Sequence, residues 1–150
     1  MTAKSTVTDF LSQQKLALVG VSRTGKKFGN AIRKELAGKG YQLFLVNPNV
    51  QSIDGQPCYP SLSNLPEKVG GVVIVVPPAQ TETVVKEAAK AGIKRVWMQQ
   101  GSESDAAIRF CNDNKMSVVH GECVLMFAKD PKFPHNAHRW IAGALGKLPK

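Results

Sequence analysis

Apolar positions in this chain alternate between two rhythms. Near-continuous apolar runs, "KLALVGV" over 15–21, "YQLFLV" over 41–46 and "GGVVIVVPP" over 70–78, read as strands covered on both faces in a parallel sheet. Between them the spacing becomes helical. Phe28, Ile32 and Leu36 recur every four residues on one helix face, which Gly38-Lys39-Gly40 stops. Val84, Val85 and Ala88 form the inner face of a helix over 81–91, with Gly92 as its stop. "RVWMQQG", 95–101, is a further strand and turn. Ser102 or Ser104 caps a helix running to Asn114 with Ile108 and Cys111 inward, and "SVVHG", 117–121, is a last short strand.

The remaining segments fit around this frame. Thr6 to Gln13 makes a short helix pinned by Phe10 and Leu11. Asn47-Pro48 closes the second strand, Asp54-Gly55 marks a turn, and "QPCY", 56–59, is short and Pro-bounded, which predicts an edge strand. After "DPKFPHN", residues 137–145 have helical composition.

Strands alternating with helices predict right-handed strand–helix–strand units. The expected fold is α/β: a Rossmann-like doubly wound parallel sheet in three α/β/α layers. One domain spans 1–150, with its core at about 15–121 and a C-terminal helical tail at 122–150. No run approaches the roughly 18 apolar residues of a membrane span. The N-terminus, "MTAKSTVTDFLSQQ", has no apolar signal core, so a cytoplasmic location is expected. Cys58, Cys111 and Cys123 support neither a disulfide scaffold nor a zinc site.

Charge changes the picture through its placement. The net charge is +9, and residues 1–40 hold eight Lys or Arg against two acids. Residues 129–150 hold five against one, while the middle is slightly acidic. A basic excess at the first strand–helix loop suits an anionic ligand. Nucleic acid fits less well, because neither a basic recognition helix nor an aromatic stacking platform is present.

Ligands of doubly wound sheets bind at the carboxyl ends of the strands. Here those ends read Ser22-Arg23-Thr24-Gly25-Lys26-Lys27, Asn47-Pro48, Val76-Pro77-Pro78 and Gln99-Gln100-Gly101-Ser102. Gly20 permits a tight exit from the first strand, and Gly25 and Gly29 let the loop backbone approach a ligand. Free N–H groups at the start of the next helix favour a pyrophosphate, and Ser22 can donate to it. Arg23, Lys26 and Lys27 are more cations than a bare pyrophosphate needs, which suggests a further phosphate. Sites for NAD usually carry an acid at the end of the second strand to hold the ribose diol. Asn47 stands there instead, so the pattern leans toward NADP or coenzyme A.

Taken in order, "VGVSRTGKKFGNAIRKELAGKGYQLFLVNPN", "VVIVVPP" and "RVWMQQGSES" resemble the stand-alone CoA-binding domain family. That family is similar to the amino-terminal CoA-binding domain of the succinyl-CoA synthetase alpha subunit. The resemblance runs from about Lys15 to Gly121 and implies coenzyme A or an acyl-CoA as ligand. It implies that the loop at Val21, Ser22 and Arg23, with Lys26 or Lys27, holds the CoA phosphates, with Gly20 as the cofactor-binding residue at its start. Asn47 and Pro48 would border the adenosine, Val76 and Pro77 would flank the nucleotide and the start of the pantetheine arm, and Gln99 and Gly101 would line its path. The tail from Glu122 departs from the family pattern.

The related ligase needs a phosphorylated histidine from a second domain and a nucleotide-grasp partner, for which this chain has no room. No nucleophile–base pair emerges elsewhere, so non-enzymatic binding is expected. The alternatives are an NAD(P)-binding small reductase or redox sensor, and a subunit completing an acyl-CoA enzyme. A homodimer or such an enzyme chain is the partner class left open, with the tail around Trp140, Ile141 and Leu145 as a candidate surface. Trp97 reads as core, His120 as structural, and Lys86, Lys90, Lys94 and Arg95 as a solvated face. Cys123, just past the last strand, is a candidate for a mixed disulfide with the CoA thiol.

Overall fold

The computed structural model describes residues 4–20, 28–53, 55–122 and 124. Its elements run α1 (Lys4–Leu11), β1 (Lys15–Val19), α2 (Phe28–Gly38), β2 (Gln42–Val46), β3 (Ser52–Ile53), β4 (Gln56–Tyr59), a 3-10 turn (Leu62–Asn64), β5 (Gly71–Ile74), α3 (Pro78–Lys90), β6 (Arg95–Gln99), α4 (Asp105–Asp113) and β7 (Ser117–Glu122). They form a seven-stranded sheet ordered β3-β4-β2-β1-β5-β6-β7. Every pairing is parallel except that of β3 with β4.

Side chains of adjacent strand residues point to opposite faces, and the core divides accordingly. Leu16, Leu18, Leu43, Leu45, Val73 and Trp97 face one side, where Ile32 and Leu36 of α2 and Val7, Phe10 and Leu11 of α1 cover them. Ala17, Val72, Ile74, Val96 and Met98 face the other, under Val85 and Ala88 of α3 and Ala107 and Cys111 of α4. Strands buried on both faces are what near-continuous apolar runs require. The Rossmann-like three-layer arrangement expected from the sequence is therefore present.

One strand sits elsewhere than expected. "QPCY" forms β4, and it is not the sheet edge: it lies between β2 and the two-residue β3. Its last two residues pair with β2, Leu45 with Cys58 and Val46 with Tyr59, whereas Pro57 pairs with Ser52 on the outer strand. The proline thus falls on the short antiparallel side, where a missing N–H interrupts little.

Element ends show the local chemistry. α3 begins at Pro78, in the first turn where proline's missing N–H costs nothing. Ser104, rather than Ser102, caps α4, its hydroxyl accepting from the Ala107 N–H at 3.1 Å. Ser102 is buried instead, and its carbonyl accepts from the Thr81 hydroxyl at 2.5 Å, tying α3 to the β6–α4 loop.

Trp97 is core, as read from the sequence. It is fully buried, its Nε1–H donates to the Glu122 carbonyl at 3.1 Å, and the Phe10 ring meets it edge-on at 5.4 Å. Phe10 reaches it across Gly71, where a Cβ would stand 2.6 Å from the Phe10 ring. No described helix is long and apolar enough to cross a membrane.

Candidate functional site

The chain leaves β1 toward β2 through α2 and leaves β5 toward β6 through α3, with the two helices on opposite faces. The carboxyl ends of the neighbouring strands β1 and β5 therefore release their chains in diverging directions. Such a switch point opens a crevice. Here it has a volume of about 740 Å³.

Its floor is set by a backbone contact. The Val75 N–H donates to the Val19 carbonyl at 2.8 Å, continuing the β1–β5 ladder past the end of β5. Gly20, with φ at +124°, passes directly over it, and a Cβ on Gly20 would lie 2.1 Å from the Val75 carbonyl oxygen. Only glycine fits both the conformation and the space.

The rim on the β2 side is a turn. The Asn47 N–H donates to the Tyr59 carbonyl at 2.9 Å, and the Asn49 N–H donates to Asn47 Oδ1 at 2.8 Å. The side chain thereby holds Pro48 and Asn49 in an Asx turn at the crevice edge. On the β5 side, Val76 and Pro77 lead into α3, whose Gln80, Thr83, Val84 and Glu87 form the opposing wall.

The crevice thus brings together Gly20, Asn47, Pro48, Val76 and Pro77 from the sequence-derived set. Val21, Ser22, Arg23, Lys26 and Lys27 lie outside the described residues, as does Cys123. Gln99 and Gly101 are at the exit of β6, apart from the crevice lining. Gln99 is buried, and its Oε1 accepts from the Val124 N–H at 2.9 Å. The Glu103 carboxylate clips this exit to β7, accepting from the Gly101 and Gly121 N–H groups at 3.1 Å each.

Sequence reasoning missed the α3 wall. Positions 80, 83, 84 and 87 share one helix face, adjacent to the buried face of Thr81, Val85 and Ala88. That spacing was a signal, but polar residues on a helix flank ordinarily mean solvent. Glu87 is the notable member: its Oε1 accepts from the Leu62 N–H at 2.6 Å.

Among the described residues, the other titratable groups lie outside the crevice lining. Burial pushes the Cys111 thiol up to about 11, which makes it a packed core residue and a poor nucleophile at neutral pH. Burial lowers the His120 pKa, with the nearby Glu103 carboxylate acting in the opposite direction. No cluster of three or more metal-ligating His, Cys, Asp or Glu occurs among the described residues.

A doubly wound sheet with an open crevice at its switch point is the architecture of nucleotide-binding α/β domains. Within that class, the chain belongs to the CoA binding domain family, whose profile matches residues 14–129. It is 35% identical over 93 residues to ADP-forming acetate–CoA ligase I of Archaeoglobus fulgidus, a match covering 62% of this chain and 14% of the ligase. The chain therefore spans about one seventh of the length of that curated relative. A conserved hypothetical protein from Pyrococcus furiosus superposes with a TM-score of 0.72 at 42% identity, covering 75% of this chain and 97% of that one. Acetyl-coenzyme A synthetase 1 of Ca. Korarchaeum cryptofilum superposes with a TM-score of 0.63 at 28% identity, covering 71% of this chain and 25% of the synthetase.

Proposed function

We propose that this chain binds coenzyme A or an acyl-CoA in the crevice at the carboxyl ends of β1, β2 and β5, without itself carrying out chemistry on the ligand. The observation that carries the reading is a coincidence of place. The family match over residues 14–129 encloses a crevice lined by Gly20, Asn47, Pro48, Val76 and Pro77, all singled out by their sequence pattern. In this reading the adenosine lies between the Asn47–Pro48 turn and Val76–Pro77. The phosphates meet Ser22, Arg23, Lys26 and Lys27, and the pantetheine arm runs toward Gln99 and Gly101.

The chemistry of the β2 exit supports CoA over NAD. A ribose diol is held by a carboxylate in NAD sites. Asn47 is neutral, and its carbonyl oxygen is engaged by the Asn49 N–H, so it is a poor substitute. Asn47 itself brings no negative charge against a ribose bearing a 3′-phosphate. A second reading, a subunit that completes an acyl-CoA enzyme with another chain, draws support from the similarity to the acetate–CoA ligase.

Ligand-dependent melting tests the proposal, with native mass spectrometry of the purified protein for bound CoA. A ligand at about 100 times its Kd adds roughly 2.7 kcal/mol of stability, about 5–10 °C in a domain of this size. The expected order is CoA first, dephospho-CoA lower and NAD near zero. A larger shift with NAD than with CoA would overturn the assignment.

A further inference from the structure

Among the described residues that line the crevice, Glu87 is the single ionisable side chain. The wall it shares with Gln80, Thr83 and Val84 faces valines and prolines from the strand exits. A lone carboxylate is an unfavourable neighbour for a polyphosphate, so it gives the crevice a polarity. Phosphates belong at the β1 exit, and the uncharged end of the ligand belongs along α3.

The carboxylate is also fixed. Glu87 Oε1 accepts from the Leu62 N–H at 2.6 Å, which ties the side chain to the 3-10 turn and limits its rotamers. Oε2 accepts from no donor among the described residues. When a ligand displaces water from this wall, the group placed opposite that oxygen must be a donor, because an acceptor would meet it lone pair to lone pair. In the proposed binding pose the uncharged group of coenzyme A along this wall is adenine, whose exocyclic amine is such a donor.

We infer that Glu87 is a specificity-determining residue that reads the exocyclic amine of a 6-aminopurine, orienting the base along α3 and rejecting 6-oxopurines. The inference rests on the reading that the crevice takes a CoA-type nucleotide. It goes further by assigning one protein group to one ligand group. Rejection of the wrong base arises from an acceptor facing an acceptor, which is the repulsive half of specificity.

Calorimetric titration of the full chain with coenzyme A, adenosine 3′,5′-bisphosphate and inosine 3′,5′-bisphosphate tests it. The expected result is that the wild type prefers the adenosine to the inosine bisphosphate by at least about tenfold. In Glu87→Gln the amide oxygen can still accept from the Leu62 N–H, while the amide nitrogen now donates toward the base. The preference then falls to about unity or reverses, with an unchanged melting temperature showing that the fold is kept. Equal wild-type affinity for the two bisphosphates, with CoA binding intact, overturns the inference and leaves the CoA reading standing. So does an undiminished preference in Glu87→Gln. Absence of binding by all three ligands instead overturns the CoA reading itself.

Discussion

Gly20→Ala is expected to destabilise the protein by roughly 3–5 kcal/mol, one of the largest effects of a single methyl group in this chain. Two independent costs add. The backbone at Gly20 has φ at +124°, where an L side chain is strained. The new Cβ would also lie 2.1 Å from the Val75 carbonyl oxygen. That oxygen is backbone, held by the β1–β5 ladder, so it cannot swing aside as a flexible side chain would. Relief requires β1 and β5 to part at their exits, which opens the floor of the crevice.

Gly40→Ala supplies the internal control. Gly40 also has positive φ, at +94°, but nothing stands within 4 Å of its added Cβ. Its cost is conformational alone, about 1 kcal/mol. Chemical denaturation of both variants separates strain from collision, and a Gly20→Ala protein no less stable than Gly40→Ala would show that the contact is not close.

The second large effect concerns binding. Replacing Arg23 and Lys26 together by alanine is expected to weaken CoA affinity about a hundredfold. Each charge-assisted contact to phosphate is worth roughly 1.5–3 kcal/mol before screening, and about 3 kcal/mol combined corresponds to that ratio. The wild-type affinity should fall with added salt, and that of the double variant should fall less. Melting of the unliganded protein should change little. Calorimetry at two salt concentrations checks both statements. An unchanged affinity would remove these two residues from the site.

The fold was largely legible because burial on both faces leaves a local record. Leu16, Ala17 and Leu18 are all buried, yet alternate between the α1/α2 and α3/α4 layers. That forces an uninterrupted apolar run, which is visible in the sequence. The position of β4 was not legible. Its neighbour β3 has only two residues, too few to show a period, so "QPCY" looked like the end of the sheet.

The lining of the crevice was legible where backbone geometry demanded a residue type, as at Gly20 and the Asn47–Pro48 turn. It was opaque where tertiary placement gave an ordinary residue a special position. Gln80, Thr83 and Glu87 look like any solvated helix flank. They line a wall because α3 faces the β2 exit across the crevice. Gln99 carries a role the sequence did not show: its side-chain oxygen accepts from the Val124 N–H, tying the β6 exit to the chain beyond β7.

The most direct measurement is a crystal structure grown with saturating coenzyme A. The expected result is adenosine density between the Asn47–Pro48 turn and Val76–Pro77, with the phosphates directed at residues 22–27. An empty crevice at full saturation, or coenzyme bound only elsewhere on the molecule, would contradict the assignment of this crevice to CoA.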